Sequence, residues 1–129
     1  MLCAGNNTEY CGAANRLNLY LNASAPVLPV VNPPIVNFTY QGCYTDSVNE
    51  RVLSDAYQYG PDMTVEECAG KCARYMYFGT EYSTECYCGN VLKNMTRMVE
   101  EVQCGMTCAG NATQICGSGN RLSLYRKSA

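Results

Sequence analysis

The sequence predicts a small α+β domain held together by disulfides. Two spacings and a cysteine count carry that prediction. Ten cysteines stand in 129 residues, close to the range that marks a disulfide scaffold. Thr64-Val65-Glu66-Glu67 reads as a capping box opening a helix over about 65–75, which places Cys68 and Cys72 one turn apart on one face. Tyr77-Phe78 and Glu85-Cys86-Tyr87-Cys88 read as strands, with Cys86 and Cys88 sharing a face by the period of two. Four helical residues rise roughly 6 Å and two strand residues roughly 6.6 Å. A C-x3-C helix therefore lies over a C-x-C strand with two bridges side by side, and the spacing leaves open which cysteine takes which. Each bridge closes a loop that stabilises by about 3 kcal/mol in the chain-entropy model.

The remaining elements follow in chain order. Residues 3–20, CAGNNTEYCGAANRLNLY, match residues 108–125, CAGNATQICGSGNRLSLY, at twelve of eighteen positions. This internal repeat makes residues 1–20 the C-terminal remnant of a preceding copy, and the chain is expected to be a piece of a tandem protein. Residues 21–39 hold four of the five prolines and read as a semi-rigid linker; their valines, leucine and isoleucine allow the alternative that the stretch lies on the domain surface. Residues 40–126 make the complete unit. Within it, 40–44 is a first strand, 51–53 with Tyr57 a short second strand, and 60–62 a turn leading into the helix. After the two cysteine strands, 91–103 is polar and irregular and 104–116 is loop-rich. Residues 121–125 alternate as a last strand, which closes the domain by pairing with the first.

Composition narrows the function. A net charge of −2 gives no basic footprint, so no nucleic-acid partner is expected. No apolar run approaches the length of a membrane span, so no membrane contact is expected within this chain. Five N-x-S/T sequons, at Asn6, Asn22, Asn37, Asn94 and Asn111, join the cysteines in favouring a secreted or cell-surface glycoprotein. No signal peptide is visible at the start. There is no histidine, and the C-x3-C and C-x-C spacings are not those of a zinc site, so neither metal nor cofactor is expected. A cysteine nucleophile lacks a base. The carboxylates Asp46, Asp55, Asp62, Glu81 and Glu85 stand on a unit too small for a deep catalytic cleft. The chain reads as a non-enzyme.

Tyrosine is the informative residue type: nine lie between 40 and 126, with no tryptophan. A tyrosine ring has an apolar face and a polar tip, which suits a sugar ring with its C–H face and hydroxyl rim. The candidate ligand-binding residues are Tyr44, Asp46, Arg51, Tyr57, Tyr59, Tyr77, Glu81, Tyr82 and Asn90. Their structural readings stand beside this one: Asp46 capping its turn, Asn90 in a left-handed turn, Arg51 and Arg121 paired with carboxylates. Tyr40, Tyr87 and Tyr125 read as cover for the core, and Phe78-Gly79 as a core ring beside a strand glycine. Glycans on Asn94 and Asn111 would leave the surface from Tyr44 to Tyr59 and around Tyr82 open.

The run YQGCYTDS, then MTVEECAGKC, then YFGTEYSTECYCGN, then CGMTCAGN with CGSGNRLSLY resembles the WSC domain, the cysteine-rich ectodomain module of fungal cell-wall stress sensors, also found in secreted fungal enzymes and some animal receptors. The likeness covers 40–125 in full and 1–20 as a remnant. It implies a PAN/apple-like fold, an antiparallel sheet with one helix packed across it. It also implies the pairs Cys43–Cys104, Cys68–Cys86, Cys72–Cys88 and Cys108–Cys116, and by the repeat Cys3–Cys11. It further implies a carbohydrate ligand in the cell wall, with β-1,3-glucan the first candidate, and allows self-association through tandem modules. The alternatives are a protein-interaction or spacer ectodomain, or the targeting module of a larger secreted enzyme.

Overall fold

One seven-residue helix and a six-stranded sheet organise residues 32–128, the part of the chain that the computed structural model describes. The remnant at 1–20 with Cys3, Cys11 and Asn6, and the linker up to residue 31 with Asn22, lie outside the described residues. The elements are β1 (Phe38–Thr45), β2 (Ala56–Tyr59), α1 (Val65–Lys71), β3 (Tyr77–Glu81), β4 (Glu85–Gly89), β5 (Met98–Val99), a 3-10 turn (Glu101–Gln103), β6 (Thr107–Cys108), β7 (Asn111–Ile115) and β8 (Arg121–Lys127). The sheet runs β2-β4-β3-β8-β1-β5 and every pairing is antiparallel; β6 and β7 form a separate hairpin. The last strand does pair with the first, Tyr44 opposite Leu122, and also with β3, so it lies inside the sheet.

Helix α1 starts where the capping box places it, with only the Thr64 half of the box formed; the Glu67 carboxylate lies 3.6 Å from Lys71 Nζ instead. Thr64 Oγ1 accepts from the Glu67 amide at 3.0 Å. A second cap comes from β7: Gln114, only 3 % exposed, accepts from the Val65 amide and donates to both carboxylate oxygens of Glu66. The helix is one turn shorter than expected, ending at Lys71 rather than near Tyr75. Cys72 is bridged to Cys88, so the chain must turn at once to enter β3. The carbonyl of Ala73 is then taken by Lys127 Nζ at 2.6 Å.

The bridges are Cys43–Cys104, Cys68–Cys86, Cys72–Cys88 and Cys108–Cys116, the four pairs that the resemblance implies. The two that join α1 to β4 both have Cα atoms 5.4 Å apart, well inside the usual range. Cys68, Cys72, Cys86 and Cys88 pack with Val65, Phe78 and Tyr125 to form the core under the helix. The other face of the sheet has a smaller core of Val52, Leu53, Tyr87, Leu122 and Leu124.

Three local expectations are corrected. Residues 51–53 are not strand: Val52 and Leu53 turn into the second core and the strand begins at Ala56. The loop-rich 104–116 contains the β6–β7 hairpin, closed by Cys108–Cys116. The first strand starts at Phe38, whose ring packs edge-on against Phe78 at 4.7 Å. Just before it, Asn32 bonds the backbone of Ile115 through both side-chain atoms and Ile35 packs on the core, so residues 32–38 are laid against the domain.

Candidate functional site

Strand alternation decides which side chains share the face opposite α1. Tyr57 stands across from Tyr87 and Tyr59 across from Glu85 on neighbouring strands β2 and β4. On β3, Gly79 stands next to Tyr87. A Cβ at Gly79 would come within 2.4 Å of Leu122 Cδ1. The missing side chain thus makes room for a core leucine, as expected of a strand glycine beside core Phe78, and not for a ligand.

The result is a row of stacked groups. The Arg51 guanidinium carbon lies 4.7 Å from the Tyr87 ring centre. Tyr87 stacks on Tyr57 at 4.9 Å and 29°, and Tyr57 on Tyr59 at 5.8 Å and 22°. Exposure rises along the row: 5 % for Tyr87, 49 % for Tyr57 and 71 % for Tyr59. Beside it lies a shallow depression of about 600 Å³ bordered by Arg51, Ser54, Asp55, Tyr57 and Glu85. The Tyr87 hydroxyl donates to Glu85 at 2.9 Å. Burial, then the Glu85 contact, raises the Tyr87 phenol well above its ordinary value, and burial with the nearby Glu85 charge raises Tyr57. Both hydroxyls stay neutral donors at any physiological pH.

The buried end of the row is a charge cluster. Arg51 Nη1 bridges Asp46 at 2.9 Å and Glu81 at 3.0 Å, and both carboxylate side chains are almost fully buried. Asp46 also accepts from the Val52 amide at 2.9 Å. Burial works against the charged Arg51, but Asp46, Tyr87 and Glu81 outweigh it and hold the guanidinium above its usual value. One cation serves two carboxylates. Burial, and next the neighbouring Asp46, push Glu81 up to about 9, further than Arg51 can draw it down. Glu81 is thereby drawn toward its protonated form.

The structure brings together Arg51, Tyr57 and Tyr59 from the expected set. It adds Tyr87, read from the sequence as core, and Glu85, which no motif marks as part of this face. Asp46 and Glu81 lie beneath the face, with no side-chain surface to offer a ligand. Tyr44 and Tyr77 are half-buried against the second core. Tyr82 lies in the β3–β4 turn with φ 51° and is exposed. Asn90 is not in the left-handed region; its side chain accepts from the Met76 amide and its own amide donates to Asp55. Arg121 bonds Gln103 and the Asn120 carbonyl, both neutral groups. Tyr40 lies against Tyr125, 5.0 Å between ring centres, and donates to Glu101, but is 39 % exposed, so it covers the core only in part.

Three sequons fall in the described region. Asn37 is exposed with φ 71°, at the start of β1. Asn111 accepts from both the amide and the hydroxyl of Thr113 at the start of β7. Asn94 donates to the Arg51 carbonyl at 2.9 Å and, with Met95, borders a second depression beside Asp46. The Asp46 end of the row is thus not clear of Asn94, contrary to the expectation for that stretch.

Among the described residues all eight cysteines are bridged. The Cys68, Cys72 and Cys86 sulfurs gather within 4.8 Å of one another because two bridges lie side by side; oxidised sulfur offers a metal no thiolate. Among the described residues no helix is long and apolar enough to cross a membrane.

A disulfide-stapled α+β module with a tyrosine row on its open face is the class defined by this architecture. Comparison with known proteins agrees: residues 40–118 match the model of the WSC domain, and the chain belongs to the WSC domain family. It is 40 % identical over 125 residues to a WSC domain-containing protein of Arthroderma benhamiae, covering 97 % of this chain and 17 % of that protein. It is 42 % identical over 135 residues to a putative fungistatic metabolite of Chaetomium globosum, covering 98 % and 61 %. The xylosyltransferase sqv-6 of Caenorhabditis elegans is 34 % identical over 91 residues, which is 66 % of this chain and 11 % of the enzyme. The chain thus spans less than two thirds of the length of these relatives.

Proposed function

We propose that this chain is a non-catalytic carbohydrate-binding module of a secreted or cell-surface fungal protein, with cell-wall polysaccharide as ligand and β-1,3-glucan as the first candidate. The observation that carries this reading is the Tyr57–Tyr59 pair: two exposed rings on an open sheet face, bordered by Glu85, Asp55 and Arg51. Apolar ring surface edged by donors and acceptors is what a pyranose needs. Binding by so small a surface is weak, and tandem modules joined by the Pro-rich linker would strengthen it through effective concentration. The four disulfides suit an oxidising, extracellular setting.

The test is retention of the oxidised protein on insoluble β-1,3-glucan, chitin, cellulose and xylan, with a reduced and alkylated sample as control. Retention on one polymer that is lost on reduction supports the module. No retention on any of the four rejects it. In that event the reading becomes a protein-interaction or spacer ectodomain, including self-association between tandem modules. A targeting role within a larger enzyme is favoured by one observation, the matching region within the xylosyltransferase, and is compatible with glycan binding.

A further inference from the structure

We propose that the tyrosine row is read from its end: one pyranose ring packs on the outer face of Tyr59 and extends the stack, so the module takes single, flexible glycan chains and not flat crystalline arrays. This rests on the carbohydrate reading and specifies its geometry.

A crystalline polymer surface is held by several aromatic rings that turn their faces outward in one plane. The row here is built differently. Its rings are nearly parallel and placed one behind another, at 29° and then 22°. Ring centres 4.9 Å and 5.8 Å apart are too close for the rings to lie side by side in one plane, so they form no flat platform. Tyr87 lies between the Arg51 guanidinium and Tyr57, and only 5 % of it is exposed. Tyr57 lies between Tyr87 and Tyr59 and is about half exposed. Tyr59 ends the row, and among the described residues neither a ring nor the guanidinium lies against its outer face.

The stack can grow at that end only. Its other end is sealed, because Arg51 is fixed by the two buried carboxylates of Asp46 and Glu81. At the Tyr59 end there is room. Tyr59 is 71 % exposed, the most open ring of the row. Among the described residues, strand β2 is also the edge of the sheet, with no strand beyond it. Polar partners for hydroxyls are at hand, with Glu85 directly across from Tyr59 in register. One stacked ring with a few hydrogen bonds fits one sugar of a chain that can bend to reach it. A rigid sheet of chains cannot present a ring edge-on to the row and stay flat against the domain.

The experiment measures binding of the oxidised chain to soluble hexasaccharides of β-1,3-glucan, xylan and chitin by calorimetry, beside retention on the amorphous and microcrystalline forms of cellulose and chitin. Tyr59→Ala, Tyr59→Phe and Tyr57→Phe are compared with the natural sequence. Expected is binding to a soluble hexasaccharide that falls at least tenfold in Tyr59→Ala and stays within threefold in both phenylalanine variants, with no excess retention on the microcrystalline forms. Binding that is unchanged in Tyr59→Ala, or stronger on microcrystalline than on amorphous polymer, overturns this inference and leaves the carbohydrate reading standing. No binding to any glycan overturns both.

Discussion

Arg51 shows how much one side chain carries here. It joins two buried carboxylates to the tyrosine row, touching Asp46, Glu81 and the Tyr87 ring. Removing one member of a buried charge network leaves the others without compensation, a loss of about 3–5 kcal/mol. Arg51→Ala should lower stability by that amount in urea unfolding and shift the Tyr87 environment in near-ultraviolet circular dichroism. Loss of less than about 1 kcal/mol would mean that the carboxylates do not depend on the cation. Glu81 makes a second prediction, on pH. Its folded value is raised from 4.5 to about 9 by burial and Asp46, so between those values the folded chain holds a proton that the unfolded chain releases. The stabilisation is complete below the lower value and declines as pH rises through the window. Glutamine keeps the shape and cannot ionise. The natural sequence should therefore lose stability from pH 5 to pH 9 relative to Glu81→Gln; parallel profiles would show that Glu81 is already ionised in the fold. Nothing in the sequence distinguishes Glu81 from Glu85, four residues on. The first points under the loop at Arg51 and the second rims the open face, and that difference is set by where residues 46–53 cross the sheet.

At the level of elements, sheet packing turns on a glycine. A methyl group at Gly79 would meet the Leu122 side chain at 2.4 to 2.9 Å, and Leu122 is completely buried. Overpacking of this kind costs about 1–3 kcal/mol. Gly79→Ala should destabilise by that much, and the double variant with Leu122→Ala should cost less than the sum of the two single changes. Strict additivity would mean that the contact is relieved elsewhere. The elements fixed by local chemistry were legible in the sequence. The Thr64 cap, the two cysteine spacings and the alternation of β8 all act within a few residues. The β6–β7 hairpin was not, because its register bulges between Thr107 and Cys108 and breaks the alternation that would mark it. The second cap from Gln114 reaches across 49 residues to the Val65 amide, which no local pattern can announce. Residues 51–53 misled for a related reason. Val-Leu after Arg has strand character, but two buried carboxylates draw the arginine inward and the chain follows as a loop. The site was half legible. Tyr57 and Tyr59 share a face by alternation alone, whereas their union with Tyr87 and Glu85 needed the β2–β4 register.

For the whole molecule, two small cores on either side of one sheet leave stability dependent on the bridges. Those bridges are unequal. Cys43–Cys104 spans 61 residues and Cys108–Cys116 spans 8. Closing the longer loop removes more freedom from the unfolded chain, roughly 4 kcal/mol against about 2.5 kcal/mol. The longer bridge also ties β1 to the segment after β5, at the edge of the sheet away from β2. Replacing both members of that pair with serine should cost more stability than replacing Cys108 and Cys116. It should do so while leaving the tyrosine row intact, because β4 is held to α1 by the Cys68–Cys86 and Cys72–Cys88 clamp at the other side and β2 pairs with β4. Urea unfolding of the two paired variants gives the order, and retention on polysaccharide reports on the row. An opposite order would mean that the hairpin, whose Gly110 amide bonds the Met63 carbonyl at 2.7 Å beside the start of α1, governs the stability of the helix and with it the whole domain.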